Sequence, residues 1–181
     1  MLDNQFVKLS FERFAKAVVK QARTNLTRNK HNVSGELYKS LDKWEVEVSQ
    51  RGSVLLKFNM ADYGEFQDRG VKGADPTKSH KMKEATPFKY TNKMPPIRDL
   101  EKWVKARRFQ FRDKAGKFKS YKETAFIVRN SVYQKGIPQT LFFTKPFKRN
   151  FANLPNSLVE AFGNDVERFL SAQFKDKKRF R

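Results

Sequence analysis

Val7, Phe11, Phe14, Val18, Ala22 and Leu26 recur at steps of three and four, with Lys8, Glu12, Arg13, Lys16, Lys20 and Arg23 on the intervening positions. That period predicts an amphipathic helix with one face toward a core. The polar run from Thr27 to Asn32 ends it. A second, short helix is expected next, with Ser34 as its N-cap and Leu37 and Leu41 on one side. The pattern then changes to period two: Trp44, Val46 and Val48 alternate with Glu45, Glu47 and Ser49, which predicts a strand with one buried face. A turn at 50–53 leads into a partner strand from Val54 to Met60, with Leu56 and Phe58 assigned to different phases. Together the two strands predict a β-hairpin.

Residues 62–69 are expected to form about two helical turns, Tyr63 and Phe66 facing inward, with Gly70 as a left-handed C-cap. Asp62 and Glu65 would sit at the positive end of that helix. From Val71 to Met94 no period is visible, and Lys72, Lys78, Lys81, Lys83, Lys89 and Lys93 outnumber Asp75 and Glu84. A stretch of that length without periodicity predicts a long basic loop that orders only in a complex. Pro95 and Pro96 pre-set a helix start, and Ile97, Leu100, Trp103 and Val104 mark its apolar stripe up to about Arg107. Residues 109–118 place a turn, Asp113 to Gly116, between aromatic and basic flanks, the pattern of a small basic hairpin.

Ser120 and Glu123 have capping-box spacing, and the helix they start carries Ala125, Val128 and Val132 to a stop at Gly136 and Pro138. Leu141, Phe142 and Phe143 form a short apolar run suited to an added strand or a docking segment. Thr144 to Pro146 opens another helix. Leu158, Phe162, Val166, Phe169 and Leu170 give a long C-terminal stripe, which Pro155 should kink or divide. The basic tail 175–181 is expected to fray. The predicted fold class is α+β: a small antiparallel sheet packed with several helices, in a single domain spanning residues 1–181.

Charge sharpens this picture. The 181 residues hold 39 Lys and Arg against 19 Asp and Glu, a formal charge of +20, with a hydrophobic content of 38%. So lean a chain is expected to have a small core, and so basic a chain to meet a counter-charged partner or a neighbouring subunit. Nucleic acid is the first such partner to consider. No membrane is expected as a partner, because no run approaches the roughly 20 apolar residues a span needs. The start MLDNQFVKLS lacks the pattern of a signal peptide, and a chain without Cys forms neither disulfides nor thiolate zinc sites. These features suggest an intracellular origin.

Catalytic chemistry finds little support. His31 and His80 fall in polar stretches, and no nucleophile elbow, H-E-x-x-H or P-loop lysine motif is present. Asp62, Glu65 and Asp68 lack the alternate-oxygen spacing and closing Glu of a calcium loop. No enzyme activity, metal or cofactor is expected. A metal-dependent nuclease using Asp62, Glu65 or Asp75 is the weakest of the alternatives.

The order of the motifs resembles a family. Ser34-Gly-Glu-Leu-Tyr-Lys-Ser-Leu41 follows a basic N-terminal helix and precedes the hairpin. Tyr63-Gly-Glu-Phe-Gln-Asp-Arg-Gly70 then stands where the neck and tail-completion proteins of tailed bacteriophages typically carry Tyr-Ala-x-x-Val-Glu-x-Gly. Downstream, Met94-Pro-Pro-Ile-x-x-Leu-x-x-Trp103 is similar to the segment before that family's second helix. Gly136-Ile-Pro-x-x-x-Phe-Phe143 resembles the Gly-Ile-x-Pro-x-Pro-Phe run ahead of its closing helix. The likeness spans roughly residues 6–165. The loop 71–94 and the aromatic hairpin 109–118 depart from the pattern.

The resemblance implies a non-enzymatic virion protein of the neck or upper tail, made in the bacterial host. It would form a closed ring around the DNA channel between portal, head-closure or tail-tube proteins. Tyr63, Phe66, Gly70, Pro95, Pro96, Trp103, Gly136, Pro138 and Phe143 would then shape the fold. Lys72, Lys78, Lys81, Lys83, Lys89, Leu141 and Phe142 would be subunit or partner contacts, and removal of residues 71–94 should leave a folded monomer that assembles poorly. Arg107, Arg108, Arg112, Lys114, Lys117 and Lys119 are candidate phosphate contacts. The alternative is a nucleic-acid-binding monomer or dimer, in which Phe109, Phe111, Phe118 and Tyr121 stack bases between those cations. The same rings could instead form a small satellite core.

Overall fold

A computed structural model describes residues 5–29, 34–49 and 53–178, with the side chains of Phe169, Leu170 and 172–178 left aside. The elements in order are α1 (Gln5–Arg28), α2 (Glu36–Ser40), β1 (Trp44–Val48), β2 (Val54–Phe58), α3 (Gly64–Arg69) and β3 (Val71–Lys72). They continue with α4 (Ile97–Ala106), α5 (Tyr121–Lys135), β4 (Gly136–Ile137), α6 (Thr144–Phe151) and α7 (Leu154–Lys178). The fold class is α+β, with two separate two-stranded antiparallel sheets, β1–β2 and β3–β4. The chain packs as two compact units. One comprises residues 1–25, 40–60 and 142–181, the other residues 26–39 and 61–141.

The first unit is built on the apolar stripe of α1. Phe14 and Val18 are buried with Leu154 of α7, and Phe11, Leu56, Phe58, Phe143, Phe147 and Leu158 pack around them. The cluster is largely aromatic: Phe14 meets Phe147 edge to face at 5.4 Å between ring centroids, and Phe58 meets Phe143 at 5.2 Å. Such pairs add about 0.5–1.5 kcal/mol each beyond the area they bury. In the hairpin, Trp44 pairs with Phe58, Val46 with Leu56 and Val48 with Val54. Leu56 and Phe58 thus share the inner face, because residues two apart on a strand point the same way. The assignment to different phases is corrected on that ground. On the outer face Lys57 meets Glu47 at 2.7 Å, and this hydrogen bond raises the lysine pKa.

Asp165 closes the first unit. Its carboxylate is buried and accepts the amides of Phe6 at 3.1 Å and Val7 at 3.2 Å, satisfying first-turn donors of α1 that no helical carbonyl can reach. Pro155, the second residue of α7, stands where no backbone donor is needed, so it divides the C-terminal region into α6 and α7. Leu154, Ala161 and Asp165 are the buried positions among the described side chains of α7, whereas Phe162 is 55% exposed, against the expected stripe. The backbone helix runs on to Lys178, through the start of the tail expected to fray, and 179–181 lie outside the described residues. The side chains of Phe169 and Leu170, His31 and the expected turn residues 50–52 also lie outside what is described.

The second unit holds α2 to α5 and β3–β4. Residues 71–94 are not the free loop expected. Lys72 donates its amide to the Phe88 carbonyl and accepts from the Tyr90 amide, both at 2.9 Å. Gln139 clamps the middle of the segment. Its Oε1 accepts from the Lys83 and Glu84 amides at 2.7 and 2.9 Å, and its Nε2 donates to the Glu84 carbonyl at 2.6 Å. Further on, Tyr133 donates its hydroxyl to the Thr91 carbonyl, and Arg129 Nε donates to the Pro95 carbonyl at 3.0 Å. These bonds order the segment within its own unit without a partner. Because β3 lies inside it, deletion of residues 71–94 removes part of the fold and cannot be expected to leave a sound monomer.

Further expectations are corrected at α3 and at the run Leu141 to Phe143. In α3 the buried residues are Gly64 and Asp68, while Tyr63 and Phe66 are 40% and 42% exposed. Gly70 has φ +70° but an extended ψ of 170°, so it leads straight into β3 and does not form the left-handed helical cap. The run Leu141 to Phe143 forms no strand. Phe142 is fully buried and is therefore a core residue of its own chain, not a partner contact.

Candidate functional site

Within the second unit, basic and aromatic side chains gather on the turn between α4 and α5. Asp113 sets the hairpin: its amide donates to the Lys117 carbonyl and its carboxylate accepts the Lys117 amide, each at 2.9 Å. Gly116 adopts φ +80° at the tip with nothing near it, the left-handed conformation that glycine takes without strain. The expected basic hairpin is present, bridged between Arg112 and Phe118. Ser120 then caps α5. Its Oγ accepts the Glu123 amide at 3.2 Å, and the Ser120 hydroxyl, at 2.7 Å, and then its amide, at 2.8 Å, donate to the Glu123 carboxylate, which lowers the pKa of Glu123.

The hairpin rings are not a satellite core. Phe109, Phe111 and Phe118 are 38%, 37% and 55% exposed. Phe109 and Phe111 meet edge to face at 4.9 Å, and the Arg112 guanidinium lies 4.0 Å over the Phe118 ring. Arg107 lies over Trp103 at 5.7 Å, and Arg108 turns the chain with φ +51°. Arg107, Arg108, Arg112, Lys114 and Lys117 are exposed, and Lys119 is half-buried. Aromatic faces and guanidinium groups in this proportion can stack bases and hold phosphates without reading sequence.

The remaining candidates spread over residues 72–143. Lys72, Lys78, Lys81, Lys83 and Lys89 are all exposed, with Lys78 paired to Asp75 at 3.1 Å. Hydrogen bonds from Thr77, and then from Lys78, hold the Asp75 carboxyl down to about 2, as expected of a fixed turn. Leu141 is half-buried with φ +50°. Among the positions expected to shape the fold, Gly136 and Pro95 are buried and Phe143 joins the aromatic core, whereas Pro96, Trp103 and Pro138 are exposed. His80 is exposed too.

The second unit also holds a groove that no sequence pattern marks. Tyr63, Phe66, Phe88, Tyr90, Trp103 and Met94 surround a groove of about 930 Å³ in the second unit. Phe66 and Phe88 form one wall, edge to face at 4.7 Å, and burial raises the pKa of the Tyr90 phenol. The signal was present in the aromatic and proline residues of 87–103, but without a period nothing gathered them onto one surface.

The acidic residues do not converge. Glu65 pairs with Arg69 at 3.4 Å while Asp68 is buried, and among the described residues no group of three or more His, Cys, Asp or Glu side chains could hold a metal. No helix among the described residues is long and apolar enough to cross a membrane. No family model, curated protein or solved structure matches the chain.

Proposed function

We propose that this chain is a structural virion protein of a tailed bacteriophage, a protomer of a closed ring in the neck or at the completed end of the tail, around the DNA channel. One observation carries the reading: large apolar side chains stand uncovered on both units of a chain with charge +20. In the first unit Val159 is 74% exposed and Phe162 and Phe151 are 55% and 52%; in the second, Phe126 and Phe118 are 50% and 55%. A ring closes through contacts between unlike faces of identical subunits, so each protomer must offer separate apolar surfaces. The order of the motifs from Ser34 to Phe143 supports the same family. The basic hairpin suits contact with DNA backbone in the channel, and Lys72, Lys78, Lys81, Lys83 and Lys89 suit acidic neighbours.

Val159 and Phe162, three residues apart on α7, share a face. The double variant Val159→Glu, Phe162→Glu is expected to melt like the parent, because little buried area is lost, and to be defective in assembly. Sedimentation velocity under assembling conditions checks this. Normal assembly of a folded variant would remove that face from the ring contact.

The exposed rings of the hairpin favour a second reading, a nucleic-acid-binding monomer or dimer. That reading requires tight uptake of single-stranded or duplex DNA that weakens steeply with salt, and that falls when Phe109, Phe111 and Phe118 are replaced by Ala. DNA uptake indifferent to the three rings would leave only phosphate contacts.

A further inference from the structure

We infer that the groove between Tyr63, Phe66, Tyr90 and Trp103 is a docking site for an extended segment of another protein, one carrying bulky apolar side chains between carboxylates. The groove is preformed. Its floor and walls are tied by the Tyr133 bond to Thr91, the Arg129 bond to Pro95 and the two backbone bonds of Lys72, so it does not await a partner to take shape. Tyr63, Phe66, Met94 and Trp103 are each about two-fifths exposed, an apolar surface that binding would cover. Four prolines also line it, Pro87, Pro95, Pro96 and Pro138, giving a rigid and mostly apolar trough of the kind extended peptides occupy.

Charge selects the occupant. Lys89, Lys93 and Arg107 line the groove and no carboxylate does, while Arg69 stands over the Phe88 ring at 6.0 Å. A cationic rim around an apolar floor is complementary to apolar residues flanked by Asp or Glu. A second copy of this chain, with 39 Lys and Arg against 19 Asp and Glu, matches a cationic rim poorly overall. Nucleic acid is disfavoured because much of the lining is proline and methionine, which offer a base no aromatic face to stack on.

The test is selection of random dodecapeptides from a display library on the immobilised full chain, followed by titration of the selected peptides by fluorescence anisotropy. Enrichment of sequences with Leu, Phe or Trp between acidic residues is expected. Their affinity should fall on the order of tenfold or more with Trp103→Ala, and likewise with the pair Lys89→Glu, Lys93→Glu. These residues are exposed, and far-ultraviolet dichroism verifies that the variants fold. Equal binding when the apolar residues of a selected peptide are changed to Ser would mean general attraction to a basic chain, and would overturn the assignment. So would failure to enrich acidic and apolar sequences, indifference to Trp103→Ala, or displacement by oligothymidylate that Trp103→Ala also abolishes. The peptide site stands or falls separately from ring closure, which subunit stoichiometry decides.

Discussion

Gly136→Ala is expected to destabilise the chain by about 3 kcal/mol or more and to release the β3–β4 pairing. Gly136 has φ +80° and ψ −167°, a region open to glycine alone. An added Cβ would stand 2.0 Å from the Val71 carbonyl oxygen and 2.6 Å from the Gly73 amide nitrogen, both of them backbone atoms that cannot swing aside. Lys72 pairs with Gly136 in the register, so the strain falls on the strand that opens residues 71–94. The expected result is a lower urea midpoint and faster amide exchange across β3. Gly163→Ala is the contrast: it lies within α7 with nothing within 4 Å of its added Cβ, and it should raise stability by about 0.5–1 kcal/mol. An unchanged midpoint for Gly136→Ala would refute the close approach.

Phe142→Ala is expected to cost about 3–5 kcal/mol, the range for emptying a buried phenylalanine site. The side chain is fully buried, and its backbone carbonyl accepts Asn25 Nδ2 at 3.2 Å, which ties this segment to α1. The substitution also separates two roles for the run Leu141 to Phe143. A core role predicts a large fall in the thermal and urea midpoints of the dilute, unassembled chain. A parent-like melt with loss of assembly alone would return Phe142 to the list of partner contacts.

Where the pattern was local, the sequence was a sound guide. The three-and-four spacing from Val7 to Leu26 is the buried face of α1, and Ser120 with Glu123 is a capping box in full. The alternation from Trp44 to Val48 is a strand. What escaped it depended on distant partners. Asp165 meets the amide of Val7 across 158 residues, and no local rule marks a carboxylate in α7 as the cap of α1. The order within 71–94 comes from single polar bonds to Gln139 and Tyr133, with Arg129 holding Pro95 just beyond, and these leave no hydrophobic period to read. In α3, six residues are too few to fix an inner face, so Tyr63 and Phe66 were expected inside when they border a groove. The division into two units was hidden for a related reason: the first unit draws on three separate stretches of chain.

Ring formation is decided by the mass of the purified protein in native mass spectrometry, in low and moderate salt, with and without a short DNA duplex and candidate neck proteins. Closed hexamers or dodecamers are expected, formed alone or beside those proteins. A monomer or dimer that loads DNA in a salt-sensitive way, and forms no ring under any of these conditions, would contradict it.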